Sequence, residues 1–105
     1  MNPYERIEST TREQLDGPVT ARVDPSGVPP EWSLSTGRRT DPGTWVAGSW
    51  SGSWSSRTGM ITAVSPLVGA GEALSVEAGT VYDVWVRWTD GAARPVKWLG
   101  LLLVR

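Results

Sequence analysis

One stretch, Leu74 to Arg105, constrains the fold of this chain more than any other. At its centre is Val81-Tyr82-Asp83-Val84-Trp85-Val86-Arg87-Trp88-Thr89, almost all β-branched or aromatic. Such residues suit a pleated, buried surface. The two-residue period of a strand puts Tyr82, Val84, Val86 and Trp88 on one face, and Asp83, Trp85 and Arg87 on the other. The first face is predicted to supply core and the second a contact surface. Asp83 with Arg87 is either an ordinary same-face charge pair or part of that surface. Asp90-Gly91 then signals a turn.

A partner strand is expected from Val96 to Val104. Strict alternation groups Val96, Trp98, Gly100, Leu102 and Val104 against Lys97, Leu99, Leu101, Leu103 and Arg105. Beyond Leu99 both groups are apolar, so both faces need cover, from the chain's own loops, its N-terminal segment or a partner. Gly100 leaves room for a neighbouring backbone or ring to come close.

The rest of the chain repeats this character in shorter pieces. Val19, Ala21 and Val23 alternate with Thr20, Arg22 and Asp24 and predict a half-buried strand. Asp24-Pro25-Ser26-Gly27 reads as a turn, and Pro29-Pro30 leads into a short strand at Glu31–Ser35. Residues 37–43 form a loop whose Arg38-Arg39 pair either meets a phosphate or is simply solvated. Gly-Ser-Trp occurs at 48–50 and again at 52–54. Trp50 and Trp54 share parity and Trp45 does not, so a bulge or turn at Gly48 is expected. Met60–Ser65 reads as another strand, ended by Pro66. Val68-Gly69-Ala70-Gly71 lacks the lysine and the strand-to-helix setting of a phosphate loop.

No stretch keeps a 3.6-residue period over about twelve residues. The pattern is therefore all-β, with about seven short strands in a sandwich or small barrel. Residues 1–17 are expected to form an N-terminal arm or edge segment, and 18–105 the sandwich domain. Within the arm, Tyr4–Glu8 suits a short edge strand and Thr10–Glu13 one helical turn. The arm is either partly ordered by itself or ordered only against a neighbour.

Composition narrows the chemistry. The chain has no cysteine and no histidine, so disulfides, thiolate catalysis and the usual neutral-pH acid/base group are excluded. Its carboxylates are scattered, with no spacing that pairs them for hydrolysis. No enzyme activity, cofactor or metal is expected. A net charge of -1 carries no basic footprint for nucleic acid. The polar first residues predict no signal peptide, and the apolar run 101–104 is too short to cross a bilayer. Seven tryptophans with no phenylalanine stand out. Either most fill the core, or some form a recognition face. Trp45, Trp50 and Trp54 beside Ser/Gly-rich backbone would suit a carbohydrate-binding module.

Several segments together resemble small immunoglobulin-like β-sandwich proteins from the virion structural genes of actinobacterial tailed phages. They are Tyr4-Glu5-Arg6-Ile7, Trp45-Val46-Ala47-Gly48-Ser49-Trp50, Ala78-Gly79-Thr80-Val81-Tyr82-Asp83-Val84-Trp85-Val86-Arg87 and Arg94-Pro95-Val96 with Gly100. Val81 lengthens the more familiar Ala-Gly-Thr-Tyr approach by one residue. The resemblance implies a small antiparallel sandwich with an N-terminal arm, in a capsid-associated or head–tail subunit of a virion assembled in the host cytoplasm. It implies multiple copies or a homo-oligomer, the major capsid protein or other virion proteins as partners, and neither nucleic acid nor membrane. Interface candidates are Tyr4, Ile7, Trp45, Trp50, Trp54, Trp85, Arg87, Trp98, Leu101 and Leu103.

Overall fold

The structure is a computed structural model that describes residues 1–36 and 42–105. Arg38 and Arg39 lie outside the described residues. The described residues form ten strands and no helix. These are β1 (Tyr4–Ile7), β2 (Asp16–Thr20), β3 (Glu31–Ser35), β4 (Val46–Ala47), β5 (Ser49–Ser51), β6 (Met60–Val64), β7 (Val68–Gly69), β8 (Leu74–Ser75), β9 (Val81–Arg87) and β10 (Val96–Val104). One sheet has the order β1-β10-β9-β3-β4, a second β2-β6-β5, and β7 pairs with β8 alone.

The two larger sheets are consistent with a β-sandwich. A single cluster of buried side chains joins Ile7, Trp32, Val84, Val86, Leu102 and Val104 from one to Val19, Ile61 and Ala63 from the other. As expected, Val84, Val86 and Trp88 are buried and Tyr82 packs against them. The β9–β10 hairpin closes at Asp90, which exchanges both backbone hydrogen bonds with Ala93. Gly91 takes a positive φ of 60° in that turn. At the other end of β9, the Glu77 N–H donates to the Tyr82 hydroxyl at 3.0 Å and fixes the approach to the strand.

Four expectations need correction. The sheets are not purely antiparallel, because β1 runs parallel to β10 and β7 parallel to β8. The strands outnumber the expected seven, in part because Val68–Gly69 forms a short strand of its own and in part because the segment 46–51 is split. There β4 pairs with β3 in one sheet, and β5 with β6 in the other. Gly48 makes the crossing possible, since a Cβ there would lie 2.2 Å from the Val64 carbonyl oxygen and 2.8 Å from the Trp32 ring. The strand expected through Val23 stops at Thr20. The amides of Arg22 and Val23 turn instead to the Asp90 carboxylate, at 3.0 and 3.3 Å, and Val23 is exposed. Finally, a domain boundary at residue 18 falls inside β2, whose Asp16 and Gly17 already pair with β6.

Candidate functional site

The outer face of the five-stranded sheet gathers more of the candidate residues than any other surface. Its composition depends on a β-bulge. The β9–β10 register runs Trp98↔Trp85 and then Gly100↔Val84, so Leu99 is an extra residue. A one-residue slip turns every later side chain to the opposite face. Trp98 therefore lies with Trp85, Leu101 and Leu103 on the outer face, and not with Leu102 and Val104 as alternation alone predicts. Leu99 turns inward, where its methyl groups sit 3.0–3.1 Å from a Cβ built on Gly17. Gly100, at φ 145°, lets the Pro3 backbone press close, and the Leu101 N–H donates to the Pro3 carbonyl at 2.8 Å.

Register then defines four rows across this face. They are Arg6–Leu103–Val81, Tyr4–Leu101–Asp83–Ser35, Trp98–Trp85–Ser33 and Val96–Arg87–Glu31–Ala47. The side near β3 is knit together. Trp85 Nε1 donates to Ser35 Oγ at 2.9 Å, and Trp98 Nε1 donates to the buried Asp83 carboxylate at 2.9 Å. Arg87 pairs with Glu31 at 3.0 Å and stacks its guanidinium 4.3 Å above the Trp45 ring. Arg94 also binds Glu31. The hydrogen bond from Arg87, ahead of the charges of Arg87 and Arg94, holds the Glu31 carboxyl below its ordinary pKa, against a smaller opposing effect of burial.

The side near β1 is open. Tyr4, Glu5, Arg6, Val81, Leu101 and Leu103 line a groove of about 370 Å³ with an apolar floor. Tyr4 is 77% exposed and Val81 45%, while Leu101 and Leu103 are half-buried. The apolar tail thus has cover on its inner face and only partial cover outside. β1 is also the end strand of the sheet. Leu101 N–H donates to the Pro3 carbonyl, Arg105 N–H to that of Ile7, and Ser9 N–H to that of Arg105. The odd-numbered residues of this segment thus bond inward, and by alternation the backbone groups of Tyr4 and Arg6 point away from the sheet.

The remaining candidates lie elsewhere. Ile7 is 4% exposed, packed in the core, and offers no surface for an interface. Trp50 and Trp54 belong to the side of the three-stranded sheet and are half-buried against the core. Their indole N–H groups donate to the carbonyls of Val28 and Ala21. Trp45 lies instead against Arg87 of the five-stranded sheet, so Trp45, Trp50 and Trp54 do not make one platform. Trp32 and Trp88 are buried, and none of the seven tryptophans is exposed.

Arg6, Val81, Glu31 and Arg94 were not among the interface candidates read from the sequence. Arg6 shares Tyr4's parity and was legible in principle. Arg94 reaches Glu31 only through the hairpin, and no local pattern announces that. No family model, curated protein or solved structure matches this chain.

Proposed function

We propose that this protein is a non-enzymatic structural subunit of a tailed-phage particle. It docks on a capsid or head–tail neighbour through the open corner where β1, β10 and β9 meet. The observation that carries the docking surface is the apolar groove of Tyr4, Val81, Leu101 and Leu103 beside an unpaired strand edge. Strand edges and adjoining apolar pockets are a recurrent way to bind a neighbour in fixed register. The sequence resemblance supplies the virion setting.

We infer, further, that the sandwich is immunoglobulin-like. The order β1-β10-β9-β3-β4 facing β2-β6-β5 parallels the G-F-C-C′ and B-E-D arrangement of that fold, with β1 added beside G. The bond from Glu77 to Tyr82 just before β9 parallels its tyrosine corner. A carbohydrate-binding role gains no support from tryptophans that are tied down and dispersed over two sheets.

Purified particles provide the test. The chain is expected at a fixed copy number per capsid by quantitative mass spectrometry. Its absence from washed particles would remove the virion assignment, and glycan-array binding by the isolated chain would favour the sugar module.

A further inference from the structure

The β1 edge carries a charge code that specifies what can pair with it, an inference that rests on the docking role proposed above. The backbone groups of Tyr4 and Arg6 face outward, with Glu5 between them on the opposite face of the sheet. Arg6 makes no ion pair among the described residues. Glu5 is half-buried, and its carboxylate accepts the N–H of Asn2 at 3.0 Å.

A second copy of the chain is a poor occupant. A two-fold axis between antiparallel edge strands runs perpendicular to the sheet and keeps like faces together. Opposed residue numbers must then add to an even total. Two such registers keep three residues of β1 paired. One sets Glu5 against its own copy, and the other sets Arg6 against its own copy. Like charges directly opposite each other destabilise a strand pair. The register that would set Glu5 against Arg6 has an odd total, which a two-fold cannot reach. An inward-pointing charge on an edge is also a recognised guard against self-pairing.

We propose that β1 accepts an antiparallel strand from a different protein, bearing a basic residue opposite Glu5 and an acidic residue opposite Arg6. The residue opposite Tyr4 is large and apolar, so that it extends the hydrophobic surface of Tyr4, Val81, Leu101 and Leu103. Backbone bonds to Tyr4 and Arg6 supply attraction for any extended chain, and the two charges select the register. On this basis the edge is a heterologous docking strand, and the same chemistry keeps free copies apart.

The test is an NMR titration of the full chain with two synthetic ten-residue peptides. The first has threonine, glutamate, lysine and leucine at its centre, written from N- to C-terminus, so that lysine meets Glu5 and glutamate meets Arg6. The second exchanges glutamate and lysine. The first peptide is expected to shift the Tyr4 and Arg6 amides and the Leu101, Leu103 and Val81 methyl groups. The second should bind about tenfold more weakly, from two charge pairs turned repulsive. The doubly reversed chain, Glu5→Lys with Arg6→Glu, should prefer the second peptide. Equal response to both peptides, shifts confined to other surfaces, or no shift at millimolar peptide would overturn the proposal. So would a dimer in sedimentation whose Tyr4 and Arg6 amides are protected, because a second copy would then fill the edge. The peptide preference and recovery in particles are independent readouts. Loss of the first alone defeats the charge code, and loss of the second alone defeats the virion role.

Discussion

The two faces of the five-stranded sheet hold together by different physics. Inside, Trp32, Val84, Val86, Leu102 and Val104 are each at most 1% exposed and interlock with the second sheet. That face is held by apolar burial, worth about 1.5–3 kcal/mol for each large side chain. Outside, the half-covered surface near β3 is held by directed contacts: indole to carboxylate, indole to hydroxyl, arginine to glutamate, arginine over a ring. The partly exposed contacts among them contribute about 0–1 kcal/mol each, and the indole bond to the buried Asp83 carboxylate about 1.5–3 kcal/mol. The inner face therefore carries most of the stability, and away from the buried Asp83 the outer face can vary its contacts at small energetic cost. A surface of the second kind is the one available for recognition, and its open end lies at β1.

Substitutions on the two faces should separate these roles. Trp32→Ala is expected to have the largest effect, about 3–5 kcal/mol by urea unfolding, because it empties a fully buried ring site beside Gly48. That is a large part of the total stability of a small domain. A loss below about 1 kcal/mol would mean that the sheets are not packed through Trp32.

Gly100→Ala tests the bulge that decides which β10 residues belong to which face. A Cβ there would lie 2.6 Å from the Pro3 carbonyl oxygen, at a φ that side chains rarely adopt. The expected loss is about 1–3 kcal/mol. Faster hydrogen exchange should appear at Leu101, whose N–H bonds Pro3, while Val84 and Val86 stay protected. Uniform acceleration across β9 would show that the arm and the core unfold as one unit.

The smallest effect belongs to Glu31. Its folded pKa lies below the unfolded value, so its contribution is present above the unfolded pKa and is lost as pH falls through the folded one. Glu31→Gln should therefore flatten the acid limb of the stability profile and shift neutral-pH stability by at most about 1 kcal/mol. An unchanged acid limb would assign that slope to other carboxylates.

Much of this comparison was legible in the residues. Alternation along 81–88 identified the inner face of β9 because β9 itself is regular: β3 keeps unbroken register with it over Val84 and Val86, and the extra residue opposite lies in β10. The turn at Asp90-Gly91 and the need for a break at Gly48 were legible for the same local reason: each is a backbone demand that the residue itself meets. Leu15 and Pro30 were not expected in the core although both are buried, since neither sits in an alternating run. Val23 misled, because its alternation was genuine and a distant carboxylate, Asp90, had a stronger hold on the backbone there.

For the outer face the balance reverses. Residue order by itself determined an all-β chain, the core stripe of β9, the apolar character of 99–104 and the absence of histidine and cysteine chemistry. These follow from side-chain type and a two-residue period, which act locally. Tertiary structure alone decided that Trp98 stands beside Trp85, that Ile7 is core while Tyr4 is surface, and that β1 runs parallel to β10. Each depends on a contact between residues far apart in the chain: Pro3 against Gly100, Asp83 under Trp98, Ile7 beside Val104. A bulge of one residue reverses a face without altering the local pattern that alternation reads, so only the paired strand shows which side is out.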